Sequence, residues 1–403
     1  MAQIKISNVI PDEESLLTQK TVQIGQNIPS IKTPFKILDF NYAPQGSNLK
    51  NTELIHINDN SLLEKSRSLN QTTFENAIND VDLVYLRESY ENFRNVPFLK
   101  DKIIINTITF NFNPYTLKNA TDKLDTFLDI YYGKSDFLFI PNIKAFTYEN
   151  KNRKSIISKE EYVKYLSEAY NNLKFRNNKP IFIPISLKMG PNSFKSILTT
   201  LLDEGHRFFW LDFEGAGSLK YSPQIRGFHK IIDKMGLIDN VLLYATNIRR
   251  EINPHATDEF CGASDILSSP LGVDIIGVNK SPQAGGGRPL PIHLQIEHKA
   301  RFFDKTSYNY VKYLNFSKKK DIYQEYHLND ELIKVYPKFF SNYTNSFELN
   351  NEFRAQMDIV NSDESFFTYL KQKSAIKPDF FKKFKKILNK DKKIENFTID
   401  DFI

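Results

Sequence analysis

Ile181-Phe-Ile-Pro-Ile-Ser-Leu187 and Phe208-Phe-Trp-Leu-Asp-Phe213 are two short, near-continuous apolar runs in a chain of 403 residues. Runs of this kind suit strands covered on both faces, as in a parallel sheet. Between them, Phe194, Ile197, Leu198, Leu201 and Leu202 recur at the spacing of one helical face, with Asn192 or Ser193 as the expected cap and Gly205 as the stop. Strand, amphipathic helix and strand in this order make a right-handed βαβ unit.

The same alternation extends in both directions. Apolar runs fall at Phe35–Phe40, Asp82–Leu86, Ile103–Phe110, Phe137–Ile140, Ile181–Leu187, Phe208–Phe213, Val241–Ala245 and Asp274–Val278. Thr121 is placed to cap a helix carrying Leu124, Phe127, Leu128 and Tyr131. Ser158 and Glu161 have the spacing of a capping box ahead of Tyr162, Leu166, Ala169, Tyr170 and Leu173. Ser222, with Pro223 behind it, opens a helix through Ile225, Phe228, Ile231, Ile232 and Met235 that Gly236 ends. Eight strands predict a closed TIM-like (β/α)8 barrel, with an open doubly wound sheet as the alternative. Residues 41–70 are polar and read as a long loop on the barrel face.

The expected organisation is a barrel over 1–290, a helical and loop extension over 291–376, and a basic amphipathic helix and tail over 377–403. In that last segment Phe380, Phe381, Phe384, Ile387 and Leu388 share one helical face, while Lys382, Lys383, Lys385, Lys386, Lys390, Lys392 and Lys393 crowd the rest. Docking of the phenylalanines on the barrel is the first expectation, and contact with RNA or DNA phosphates the second. Net charge is +6, much of it in this tail, which permits nucleic-acid contact without requiring it. Residues 1–20 carry no apolar signal-peptide core, and no run of 18 apolar residues occurs, so a cytosolic protein without a membrane span is expected. Cys261 is the sole cysteine, which excludes an internal disulfide and a thiolate-rich zinc site. No H-E-x-x-H and no G-x-S-x-G occurs, and His293 and His298 have no helical metal-pair spacing.

Catalytic groups of a β/α barrel sit at the C-terminal ends of its strands. Side chains alternate along a strand, so Trp210, Asp212 and Glu214 share one face of strand six and are expected at the barrel mouth. Two neighbouring carboxylates repel, which raises one pKa and yields one charged group and one proton donor. That division suits cleavage or exchange of a glycosidic or N-glycosidic bond, with Asp212 as nucleophile or cation stabiliser, Glu214 as acid/base and Trp210 stacking on sugar or base. Asp39, Glu88, Lys188 and Asn247 are the other strand-end groups expected to bind substrate. No cofactor is required, although the acid pair could hold Mg2+. After strand eight, Asn279, Lys280, Gly285, Gly286, Gly287 and Arg288 form a glycine-rich basic segment where barrels commonly hold phosphate. The competing expectation is a non-catalytic nucleic-acid-binding or assembly protein on a barrel scaffold.

The segment Ile181–Gly217, ending in Leu211-Asp-Phe-Glu-Gly215, resembles part of the tRNA-guanine transglycosylase superfamily of barrels over less than a tenth of the chain. The resemblance implies base exchange on nucleic acid through an aspartate nucleophile. That family carries a cysteine-rich zinc site, which a chain with Cys261 alone lacks. None of the family's catalytic positions is matched to a residue here.

Overall fold

The computed structural model describes residues 4–24, 30–41, 43, 62–79, 102–133, 135–144, 157–175, 179–252, 260–280, 300–311, 321, 325, 335–362 and 364–388. An antiparallel sheet of β1 (Ile4–Pro11), β2 (Thr18–Ile24) and β3 (Ile31–Lys32) precedes the barrel. The first barrel strand is split into β4 (Phe35–Lys36) and β5 (Leu38–Asp39). Then come β6 (Leu62–Leu69), β7 (Ile103–Phe110) and a second split strand, β8 (Leu138–Phe139) with β9 (Asn142–Ile143). The ring continues through β10 (Ile181–Ser186), β11 (Phe208–Asp212) and β12 (Leu242–Thr246). β13 (Ile248–Arg249) and β14 (Phe260–Gly262) follow, before β15 (Ile275–Ile276).

Every neighbouring pair in this ring is parallel. β5 pairs β6, β6 pairs β7, β7 pairs β9, β8 pairs β10, and β10, β11, β12 and β15 pair in turn. β15 returns to β4, which closes eight strands in sequence order. The protein is therefore a TIM-like (β/α)8 barrel, and an open sheet is excluded by the β15–β4 ladder. Where the first strand changes partner, Asn350 replaces the missing ladder bonds. Its Oδ1 accepts the Lys36 N–H at 2.7 Å and its Nδ2 donates to the Lys36 carbonyl at 2.9 Å.

Helices α1 (Gln71–Asn79), α2 (Ala120–Tyr132), α3 (Lys159–Phe175), α4 (Pro191–Asp203) and α5 (Ser222–Lys234) follow the second to sixth strands. The capping box of α3 forms in both directions, Glu161 N–H to Ser158 Oγ at 3.1 Å and Ser158 N–H to Glu161 Oε2 at 3.0 Å. The other expected caps are displaced. Asn119 precedes α2 in a left-handed conformation, Gly190 precedes α4 and Tyr221 precedes α5, none with a side-chain capping bond. Proline in the first turn of α4 and of α5 starts those helices without one.

Two apolar shells follow from strand alternation. Phe209, Leu211 and Phe213 face the helices together with the α4 stripe, Phe194, Ile197, Leu198, Leu201 and Leu202. Phe35, Ile37, Leu62, Ile105, Phe139, Phe182, Trp210 and Tyr244 fill the barrel interior, and Val22, Ile24 and Ile31 of the N-terminal sheet join them. Trp210 is 0% exposed, edge-on to Phe139 at 5.7 Å. It is the sole tryptophan of the chain, so the folded protein should emit at short wavelength and resist acrylamide quenching. A red-shifted, readily quenched emission in the native state would contradict this placement.

The second strand corrects the sequence reading. Its place in the ring belongs to β6, inside the stretch read as a loop, and the run Asp82–Leu86 lies outside the described residues. β6 reads Leu-Leu-Glu-Lys-Ser-Arg-Ser-Leu, so it lacks the apolar signature of a buried strand. Its polarity has a structural origin, because Glu64 points into a polar upper layer of the barrel.

Beyond the barrel strands, β16 (Asn279–Lys280) pairs β13, and β17 (Phe302–Asp304) and β18 (Asn309–Val311) form a sheet with β14. α6 (Pro337–Asn361) packs on β4, β5 and β17, followed by α7 (Phe366–Lys371) and α8 (Pro378–Leu388). A buried polar cluster fastens this region. Tyr308 and Tyr369 each donate to Glu352 Oε1 at 2.5 Å, Lys373 lies 3.4 Å from it, and Gln356 bridges to Ser269. α8 docks on α5 and α7 with Phe384, Ile387 and Leu388 buried, while Lys382, Lys383, Lys385 and Lys386 face outward. No helix among the described residues is long and apolar enough to cross a membrane.

Candidate active site

The C-terminal ends of five consecutive barrel strands bring one polar group together. Asp212, the last residue of β11, is only 3% exposed. Its Oδ1 accepts from the Glu214 N–H at 2.8 Å and from Asn247 Nδ2 at 2.9 Å. Its Oδ2 accepts from Thr109 Oγ1 and Asn142 Nδ2, each at 3.3 Å. Thr109 lies near the end of β7, Asn142 opens β9, and Asn247 follows β12 directly. Donors from three strands and the local backbone thus orient one carboxylate.

β11 ends at Asp212, and Glu214 takes a left-handed conformation with φ 48°. Asn247 at the end of the next strand is also left-handed, φ 55°, and its carbonyl accepts from the Gly215 N–H at 2.8 Å. Such conformations cost free energy in residues other than glycine, Glu more than Asn, and they cluster at functional sites. The turn folds the Glu214 side chain inward, where it is 2% exposed and paired with Lys188, which follows β10 and reaches solvent. Burial pushes the Glu214 carboxyl above its ordinary value, and the Asp212 charge pushes it further. The Lys188 ammonium pulls it back, without cancelling the rise.

A third carboxylate lies deeper. Glu64 of β6 is fully buried and accepts from Thr107 Oγ1 at 2.6 Å, Tyr244 OH at 2.5 Å, Thr246 Oγ1 at 3.2 Å and the Val278 N–H at 2.5 Å. Burial raises its pKa, while these donors and the charge of Lys36 oppose the rise. A Cβ at Gly277 would lie 2.4 Å from Glu64 Oε2, so a residue with no side chain is required there. Sequence reasoning missed Glu64 because its strand was read as a loop. Thr109 and Asn142 lacked any local signal beyond their place near a strand end.

Of the residues read from the sequence, the structure assembles Asp212, Glu214, Lys188 and Asn247. Trp210 is not among them. It shares the inward face of β11 with Asp212 but lies two residues lower, inside the apolar core, so it cannot stack on a ligand at the mouth. Asp39 engages α6 instead, accepting from Asn342 Nδ2 at 3.0 Å and from the Asn41 N–H at 2.9 Å. Asn279 donates to Asp265 Oδ2 at 2.9 Å, where Tyr310 OH also donates, so its amide is committed beside a carboxylate and ill suited to hold a phosphate. Lys280 lies in β16, paired with Arg249. Glu88, Gly285, Gly286, Gly287 and Arg288 lie outside the described residues. No group of three or more His, Cys, Asp or Glu placed to hold a metal ion occurs among the described residues.

No protein-family model matches the chain, and no curated protein does. Among solved structures it is similar to a GH26 β-mannanase from Bacteroides ovatus, BoMan26A. The TM-score is 0.36 at 14% identity, covering 64% of this chain and 84% of that one.

Proposed function

We propose that this protein is a barrel enzyme that breaks or exchanges a glycosidic or N-glycosidic bond at the mouth formed around Asp212. The observation that carries the reading is the pairing of two differently held acids. Asp212 is fixed by four donors, and the adjacent buried Glu214 is pushed toward its protonated form. Asp212 supports positive charge developing on the sugar carbon, or attacks it, while Glu214 protonates the departing oxygen or nitrogen. Lys188 limits the rise of the Glu214 pKa. Base exchange on nucleic acid, which the transglycosylase resemblance implies, is the N-glycosidic form of this proposal.

The leaving group tests the role of Glu214. With alkyl or sugar leaving groups, which need a proton, Glu214→Gln should reduce turnover by on the order of 10²–10⁴-fold. With a dinitrophenyl leaving group, which departs as a stable anion, the loss should be far smaller. Equal losses on both substrate types, or no wild-type turnover of any glycoside, nucleoside or tRNA, would overturn the reading.

Glu214 also ties stability to pH. Its folded pKa is raised above the ordinary 4.5, so the folded state holds the proton more tightly than the unfolded chain. The resulting stabilisation is complete below the unfolded pKa and is lost as pH rises through the folded one. Denaturant titrations across this range should therefore show Glu214→Gln gaining stability relative to wild type as pH increases.

A further inference from the structure

One buried acceptor at the site has no donor of its own. Asn142 is 0% exposed, and its Nδ2 donates to Asp212 Oδ2 at 3.3 Å, but its Oδ1 has no hydrogen-bond partner and no solvent contact. The amide cannot be reversed to relieve this. Turning it over would set an amide oxygen against the Asp212 carboxylate and leave the NH2 group unpaired instead. Buried amide oxygens ordinarily have a donor, so an unpaired one beside a held carboxylate calls for a hydrogen from outside the chain, from a bound water or a ligand.

The two oxygens of Asp212 differ in the same sense. Oδ1 is held by two short bonds, 2.8 and 2.9 Å, from the Glu214 N–H and Asn247. Oδ2 is held by two long ones, both 3.3 Å, from Thr109 and Asn142. Oδ2 is therefore the oxygen with lone-pair density left for a reacting carbon, and the unpaired Asn142 Oδ1 belongs to the same amide group that touches it.

We infer that Asn142 Oδ1 accepts a hydrogen bond from a hydroxyl on the ring carbon next to the one at which Asp212 Oδ2 acts. This rests on the glycosyl reading above and narrows it. The substrate is a sugar that keeps the hydroxyl beside its anomeric carbon, a hexoside or a riboside, rather than its 2-deoxy counterpart. A hydroxyl is the donor that every such sugar carries at that position, and its bond to the amide strengthens as the neighbouring carbon becomes cationic. Asn142 thus determines specificity, through a contact distinct from its contact with Asp212.

The test compares substrate pairs that differ only in this hydroxyl: an aryl glucoside with its 2-deoxy analogue, and uridine with 2′-deoxyuridine. Rates are normalised to the uncatalysed reactions, because deoxy sugars hydrolyse more readily on their own. The full chain should favour the hydroxylated member by on the order of 10²-fold or more. Asn142→Ala should lose that preference, slowing the hydroxylated substrate more than its deoxy counterpart, since both also lose the Asn142 bond to Asp212. The preference of the unaltered protein is measured without any variant, so the inference stays testable even if Asn142→Ala fails to fold. No preference in the wild type, or equal slowing of both members by Asn142→Ala, would reduce Asn142 to a support for Asp212 and overturn the inference while leaving the glycosyl reading intact. If no substrate is turned over, saturation-transfer NMR with methyl glucoside, methyl riboside and their 2-deoxy analogues separates the two ideas. Hydroxyl-dependent binding lost in Asn142→Ala supports the contact and sinks the catalysis. Binding of neither member of a pair sinks both.

Discussion

Asp212→Asn should leave a folded protein whose turnover of any glycosyl substrate falls by about 10³-fold or more. The carboxylate sits where charge would develop, and an amide of the same shape carries no charge to offer. The fold should survive, because an asparagine still accepts from the Glu214 N–H through its oxygen. The local cost is that its NH2 group meets the NH2 of Asn142, which now has no acceptor. A drop of a few degrees in melting temperature with intact circular dichroism is the expected physical signature. Wild-type turnover in Asp212→Asn on glycosides, nucleosides or tRNA would eliminate the proposed chemistry. Loss of activity accompanied by unfolding would be uninformative for Asn, so Asp212→Glu provides the second probe. It keeps the charge but moves it by one methylene, and a reaction that needs a placed carboxylate should be nearly as impaired.

Lys20→Met should destabilise the protein by roughly 3–5 kcal/mol, the range for stranding a buried charge. Lys20 lies on β2 of the N-terminal sheet and is almost fully buried. Its ammonium meets Asp274 Oδ1 at 2.9 Å and the Val241 carbonyl at 2.8 Å, which ties this sheet to the end of the barrel. Asp274 also accepts the Leu243 N–H at 2.7 Å. Removing the lysine leaves a desolvated carboxylate with that amide as its compensation. The double replacement Lys20→Met and Asp274→Asn should recover most of the loss, since it removes the stranded charge and retains an acceptor for Leu243. Chemical denaturation of the two single variants and the double one measures the coupling. Acid should reduce the penalty. Burial already raises the Asp274 pKa, and loss of Lys20 raises it further, so protonation at low pH neutralises the stranded group. A penalty that does not change between pH 7 and pH 4, or a double variant no better than Lys20→Met, would show that the pair does not anchor the sheet.

The strand reading failed in one informative place. Seven strands carry enough Val, Ile, Leu and Phe to be seen as buried runs, because helices cover one face and the barrel interior the other. β6 escapes this logic because the upper barrel is polar. Glu64, Ser66 and Ser68 alternate with Lys65 and Arg67, a pattern indistinguishable from a solvated loop when read alone. The same polar layer that surrounds Glu64 removes the signal by which its strand would be found.

α8 shows the converse case. Phe384, Ile387 and Leu388 at helical spacing foretell a docked face, and the helix does bury them while its lysines stay outside. A pattern that repeats every few residues is local, and the physics that rewards it is burial of one side of one element.

The residues of strand six divide along the same boundary. That Trp210 and Asp212 share a face follows from the alternation of one strand and is legible in the sequence. That one is core and the other mouth is not, because depth along the barrel depends on the stagger of the neighbouring strands. The partners of Asp212 are equally non-local, since Thr109, Asn142 and Asn247 lie 103, 70 and 35 residues away along the chain. Strand and helix periodicity therefore decides the barrel from nearest-neighbour sterics and burial. Ring closure, by contrast, decides which polar side chains converge, because only the closed ring sets the ends of distant strands within hydrogen-bonding reach of one another.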